Sequence, residues 1–327
     1  MNAPWAIVVH GGAGVIERGL LKPAQEAAYR SAVARATEAG AQALADGGSA
    51  IVAVETTIRR LEAMPLFNAG RGAVFTAEGK VELDAAIMDG RTLEAGAVAG
   101  VSRAAHPISL ARAVMKHSPH VFLTGSGADA FAEAHEVETA SPAWFFTERR
   151  WRALEAALKA QGLPLPSRPD GAPNIPGDAA ALVHDEGKHG TVGAVALDRR
   201  GNVAAGTSTG GVTAKRWGRV GDSPVIGAGT YASNRACAVS ATGAGEYFIR
   251  LAVAREICAL VEYKGLSLQA AADQVVQQEL SAMGGDGGVV AVAPDGQMAW
   301  SFNTSGMYRA RQAEGGPLVV GVFKDEP

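Results

Sequence analysis

Apolar positions recur along this chain in two periods, and each change of period marks a new element. Residues 5-WAIVVHGGAG-14 form an apolar run that closes in a glycine turn, the pattern of a buried strand. Two Ala-rich helices follow. The first opens near Pro23, a favoured first helical position, and stops at Gly47-Gly48. The second starts after Ser49, a candidate N-cap, and carries Ile51, Val54, Ile58 and Leu61 on one face. The stretch 73-AVFTAEGKVELDAAIMDG-90 then reads as strand–turn–strand with Glu78-Gly79 at the corner. Helical spacing returns at about 107 to 117, 127 to 137 and 144 to 161.

Periodicity is then lost. The tract 162-GLPLPSRPDGAPNIPGD-178 crowds prolines and glycines together and buries too little apolar surface to offset its ordering entropy. It reads as a linker. Beyond it, 191-TVGAVALDRRGNVAAGTSTGG-211 and 288-GVVAVAPDGQMAWSF-302 are two more strand–turn–strand units. Between them lie a glycine-rich run (218 to 229) and helices at about 243 to 263 and 267 to 282. Hairpins alternating with helical pairs predict an α+β fold of mainly antiparallel sheet covered by helices. A doubly wound nucleotide-binding fold would need βαβ units with single strands.

With 327 residues, 47% of them apolar, the chain suffices for one large domain or two smaller ones. The formal charge of −3 comes from interspersed signs without a Lys/Arg block, which excludes nucleic acid and anionic membrane as partners. Two cysteines, Cys237 and Cys258, are too few for a disulfide framework. The start, MNAPWAIVVHGGAG, lacks a basic n-region, so a cytoplasmic protein is expected. His10, His106, His117, His120, His135 and His184 form no HExxH or other ligand spacing, and no catalytic metal is expected.

The candidate chemistry centres on 187-GKHGTVGAVALD-198. Thr191 opens an apolar strand straight after the linker. A threonine hydroxyl is a weak nucleophile, but the α-amine of the same residue serves as its base once that residue is an N-terminus. Such an amine titrates near pH 7.7–8.0 and is partly neutral at physiological pH. Centring the hairpin turn on Arg200 makes facing residues sum to 400, so Thr191 opposes Thr209. The plainer reading is a Thr-rich strand, since β-branched residues favour strands.

Two further segments complete a possible site. In 240-SATGAGEYFIR-250 a Thr and glycines stand where a helix begins, offering donors to an oxyanion or simply a cap at Thr242. In 216-RWGRVGDSPVIGAG-229, Arg219 and Asp222 suit the α-carboxylate and α-ammonium of an amino acid head group, or an exposed ion pair of little worth.

Seven motifs in order carry a resemblance: HGGAG (10–14), PLFNAGRGAVF (65–75), ELDAAIMDG (82–90), GTVGAVALD (190–198), TSTGG (207–211), GRVGDSPVIGAGTYA (218–232) and SATGAGE (240–246). Together they resemble the plant-type (type 2) L-asparaginases with isoaspartyl peptidase activity, members of the N-terminal nucleophile hydrolases. The resemblance runs nearly end to end. It implies a four-layer αββα sandwich, made as one inactive precursor domain over 1–327. Cleavage between Gly190 and Thr191 would give an α subunit (1–190, its linker at about 162–190 trimmed) and a β subunit (191–327). Two such pairs would assemble as a dimer of heterodimers.

By the same resemblance Thr191 is the nucleophile and Thr209 positions its hydroxyl. Thr242 and Gly243 form the oxyanion hole. Arg219 and Asp222 anchor the substrate, with Gly245 and Asn68 lining the site. A structural sodium ion is implied on the backbone carbonyls of Leu61, Glu62, Met64, Phe67, Ala69 and Arg71, with no organic cofactor. The implied substrates are L-asparagine and β-aspartyl (isoaspartyl) dipeptides. SATGAGE carries Ala244 where many relatives have Thr or His, which bears on substrate preference rather than on chemistry. His189, next to Gly190, is a candidate base for self-cleavage and equally an ordinary loop residue.

The alternative nearest to this reading is a glycosylasparaginase-type amidase, which shares fold and nucleophile. A nucleotide-binding protein using HGGAG as a phosphate cradle lacks GxGxxG and GxxxxGK[ST] at that place. A non-catalytic interaction protein would leave the full set of candidate site residues without purpose.

Overall fold

The structure is a computed structural model that describes residues 4–172 and 190–326. The first half comprises β1 (Ala6–Gly14), α1 (Pro23–Ala45), α2 (Ala50–Glu62), β2 (Leu83–Asp89) and β3 (Ala95–Val101). It continues through α3 (Pro107–His117), β4 (Phe122–Thr124), α4 (Gly125–Ala134), α5 (Pro142–Phe145) and α6 (Glu148–Ala160). The second half starts with β5 (Val192–Leu197), β6 (Val203–Thr209), β7 (Thr230–Ala232) and β8 (Ala238–Gly243). Helices α7 (Gly245–Leu251), α8 (Val253–Lys264) and α9 (Leu268–Asp273) follow, and α9 runs on into a π-helical segment, Gln274–Leu280. Strands β9 (Gly287–Val292), β10 (Met298–Phe302), β11 (Gly306–Ala313) and β12 (Val319–Phe323) close the chain.

Two sheets result, ordered β12-β11-β1-β5-β6-β2-β3-β4 and β10-β9-β8-β7. The short β3–β4 pair is parallel; the other strand pairs are antiparallel. Period-two alternation explains how the sheets stack. On β1, Ile7 and Val9 join the core beneath α1, α2 and α3, while Ala6 and Val8 face the second sheet. Val195, Leu197, Val203, Val290 and Val292 fill the layer between the sheets. A third core, built on Val239, Val289, Ile257, Ala272 and Val276, lies under α8 and α9. Helix, sheet, sheet and helix are therefore stacked in that order, the expected α+β sandwich.

Several local expectations need correction. The segment before β2 is not a strand: Thr76 to Gly79 form a turn, and Thr76 bridges only to Lys215. The helical stretch from 144 divides into α5 and α6 at Phe146-Thr147. The stretch from 243 divides at Ala252, whose φ of 49° ends α7 and restarts the chain as α8. Ser49 precedes α2 but makes no side-chain cap; Asp198, from the β5–β6 turn, accepts from Ala50 N at 3.1 Å instead. Residues 163–172 of the linker form no helix or strand. The rest of the linker, with His184 and His189, lies outside the described residues.

Candidate active site

The β5–β6 turn sets the geometry of the site from a distance. Asp198 Oδ1 accepts from Arg200 N (2.9 Å) and Asn202 N (3.1 Å), and Gly201 takes φ 79°. This pins the hairpin in one register, with Leu197 facing Val203 and Val192 facing Ser208. One step further, Thr191 meets Thr209, as the sequence predicts. The Thr191 Oγ–H donates to Thr209 Oγ at 3.0 Å, and Thr209 Oγ also accepts from Gly211 N at 3.0 Å. Both threonines are nearly buried. Thr209 further pairs with Asp84 on β2, a buried carboxyl that accepts from Gly100 N and is pushed up in pKa by desolvation.

Thr191, Thr209, Arg219, Asp222 and Gly243 line one crevice of about 240 Å³. Larger grooves of about 850 and 1630 Å³ lie elsewhere, beside Asp198 and beside Arg168, and neither includes Thr191 or Thr209. Asp222 is buried, and desolvation pushes its carboxyl up to about 7. Its Oδ2 has no hydrogen-bond partner, and a buried orphan acceptor marks where a donor belongs. Arg219 and Asp222 are not an ion pair with each other. Arg219 instead grips Glu246 with two bonds of 3.0 Å, from Nε and Nη2.

Thr242 and Gly243 end β8, so Thr242 caps no helix; α7 starts two residues later, at Gly245. Thr242 Oγ accepts from Ala13 N at 3.4 Å, which leaves its own proton to donate elsewhere. A Cβ on Gly245 would come within 2.9 Å of Asp222 N and Oδ1, so this glycine lets the Asp222 loop approach. Asn68 is a staple rather than a wall of the crevice. Its Nδ2 donates to Gly211 O (2.7 Å), its Oδ1 accepts from Val74 N (2.9 Å), and its backbone N–H donates to Gly190 O (3.1 Å).

The 61–71 loop folds back on itself. A Cβ at Gly70 would lie 2.6 Å from Glu62 O, and one at Gly72 would strike Phe67 O and Pro65 O. Bonds around the loop use the carbonyls of Leu61, Pro65, Leu66 and Ala69. Those of Glu62 and Phe67 crowd the glycine turn, a cradle whose all-oxygen donors suit a hard cation. Among the described residues, no three His, Cys, Asp or Glu side chains group as metal ligands, and no helix is long and apolar enough to cross a membrane.

The sequence reading missed His10, Ser240 and Glu246. His10 Nδ1 lies 3.1 Å from Thr191 O and its Nε2 lies 2.9 Å from Ser240 Oγ. The available signal was period two: Ser240 and Thr242 share a strand face, which reading 240–250 as a helix start conceals.

Residues 3–321 match the family model described as Asparaginase. The isoaspartyl peptidase of Salmonella typhimurium is 48% identical over 319 residues, covering 98% of each chain. The probable isoaspartyl peptidase/L-asparaginase 2 of Arabidopsis thaliana is 43% identical over 98% of this chain and 99% of its own. The isoaspartyl peptidase/L-asparaginase of Homo sapiens is 41% identical over 98% of this chain and 96% of its own.

Proposed function

Since the chain belongs to the asparaginase family that includes the isoaspartyl peptidases, we propose that it hydrolyses the side-chain amide of L-asparagine and the β-linked peptide of isoaspartyl dipeptides, with Thr191 as nucleophile. The observation that carries this reading is the 3.0 Å bond between Thr191 Oγ and Thr209 Oγ in the crevice shared with Arg219 and Asp222.

Thr191 Oγ attacks the substrate carbonyl and the α-amine of Thr191 takes its proton. The tetrahedral oxyanion forms beside the Thr242 hydroxyl and Gly243 N–H. Collapse expels ammonia or the amino acid, protonated by the same amine, and water then cleaves the ester to release aspartate. Arg219 receives the α-carboxylate. The unpartnered Asp222 Oδ2 receives the α-ammonium.

The amine is created by cleavage of the Gly190–Thr191 bond. Thr191 Oγ attacks the Gly190 carbonyl carbon, the amide nitrogen leaves, and the resulting ester is hydrolysed. The Asn68 N–H on Gly190 O supports this step, because it faces the oxygen on which negative charge develops. Two cleaved pairs form the (αβ)2 assembly. A sodium ion on the carbonyls of Leu61, Glu62, Met64, Phe67, Ala69 and Arg71 would supply a fixed positive charge that ties the loop bearing Asn68. The free thiols of Cys237 and Cys258 suit a cytoplasmic setting.

Intact mass and N-terminal sequencing of the purified protein, beside Thr191→Ala, test the proposal. A new terminus Thr-Val-Gly-Ala in wild type, with Thr191→Ala left whole, is the expected result. An uncut wild-type chain would remove the nucleophile. Assays with asparagine, β-Asp-Leu and a glycosylated asparagine then separate this activity from that of a glycosylasparaginase-type amidase.

A further inference from the structure

HGGAG supplies no group to the chemistry above, yet its histidine is fully buried against the nucleophile. A carbonyl oxygen only accepts, so the 3.1 Å contact with Thr191 O requires a proton on His10 Nδ1. Burial holds the imidazole neutral, driving its pKa down to about 3, so Nε2 carries a lone pair. Ser240 must therefore donate its hydroxyl proton to Nε2 across 2.9 Å. That leaves Ser240 Oγ free to accept from Thr207 Oγ at 2.7 Å, a hydroxyl that also lies 3.1 Å from Gly229 O. Thr230 Oγ lies 2.6 Å from Thr207 Oγ and 3.0 Å from Ser223 O, and its one proton serves one of them at a time. Thr230, Thr207, Ser240 and His10 are all fully buried.

We infer that His10 is a positioning residue for Thr191, holding its carbonyl through Nδ1–H while the Ser240 hydroxyl donates to the bare Nε2. The inference rests on Thr191 being the nucleophile. Once the bond to Gly190 is cut, only the peptide bond to Val192 retains Thr191 covalently. Two hydrogen bonds then fix its orientation: Thr209 on the hydroxyl and His10 on the carbonyl. Loss of the second lets amine and hydroxyl swing together away from the substrate, without touching the groups that bind it.

The test compares His10→Leu, His10→Asn and Ser240→Ala with wild type, normalising activity to the cleaved fraction measured by intact mass. An asparagine amide nitrogen can stand where Nδ1 stands. In His10→Leu, kcat is expected to fall about 10²-fold with KM changed less than about twofold, as displacing a reacting group by an ångström does. His10→Asn should recover most of that loss, and Ser240→Ala should fall between. Unchanged kcat in His10→Leu, or no recovery in His10→Asn, overturns the role. If His10→Leu stays uncut, cleavage of His10→Asn at the wild-type rate supports it, and an uncut His10→Asn overturns it. Ring 15N shifts of His10, read on the intact Thr191→Ala chain, report the tautomer independently of cleavage. A bare Nε2 and protonated Nδ1 are expected; the opposite tautomer sinks the inference even if Thr191 proves to be the nucleophile. If wild type is not cut, the nucleophile reading fails, and the positioning role falls with it, whatever the tautomer.

Discussion

The Ser240 hydroxyl and the His10 imidazole occupy the space that a Cβ on Gly193 would take. Gly193 pairs with His10 across β1 and β5, so the ring lies over a residue with no side chain. Gly193→Ala is expected to destabilise the fold by about 1–3 kcal/mol, as overpacking does, and to push both side chains out of line. Urea unfolding with cleavage kinetics on the same samples checks this. Unchanged stability with unchanged cleavage would show that the space is not contested.

Thr209→Val should lower kcat on the order of 10²-fold while leaving KM nearly constant, since the valine keeps the shape but not the hydrogen bond to Thr191 Oγ. Steady-state kinetics on fully cleaved protein is the measurement. A rise in KM alone would assign Thr209 to substrate binding instead.

Glu246 holds Arg219 by two bonds while its own side chain is 63% exposed. Glu246→Gln breaks the charge pairing and frees the guanidinium to move. KM for asparagine is expected to rise about three- to tenfold, corresponding to the ~1 kcal/mol scale of such exposed pairs, with kcat little changed. A fall in KM would mean that Glu246 competes with the substrate carboxylate instead of orienting its receptor.

Burial raises the Asp222 carboxyl from 3.8 to about 7, so the folded chain holds this proton more tightly than the unfolded chain does. Below pH 3.8 both states are protonated and the group costs the fold nothing. The cost grows as pH rises from there and is complete above about 7. Asp222→Asn should therefore raise the melting temperature more at pH 8 than at pH 4.5. Calorimetry at the two pH values decides it, and equal shifts would place the carboxyl in an ordinary environment. In the wild type, kcat/KM should fall as pH drops below about 7, because only the ionised carboxylate attracts an ammonium.

Much of this is legible in the sequence. Helix α2 shows its buried face in the spacing of Ile51, Val54, Ile58 and Leu61, and the β5–β6 register follows from one turn. Strands without apolar alternation stay hidden. Ser240-Ala241-Thr242 is buried on both faces, but two of its side chains are hydroxyls, so it reads as a cap instead of a strand. Strand β11 is concealed by Arg309, a wholly buried cation that stacks near Trp300 and Phe302 and donates to Met307 O and Phe323 O. Desolvation lowers its pKa to about 10. The exposed Glu246 offers no pattern, because its partner is fixed by folding rather than by spacing.

The order β12-β11-β1-β5-β6-β2-β3-β4 has a consequence for the pieces left by a cut before Thr191. Strand β1, from the first piece, lies between β11 and β5 of the second, and β6 of the second lies against β2 of the first. The two pieces are interleaved like the teeth of two combs. Neither can leave without tearing ladders on both sides of β1 in the middle of the sheet. A backbone cut before Thr191 would thus leave the frame around it intact, and the two chains should melt as one body.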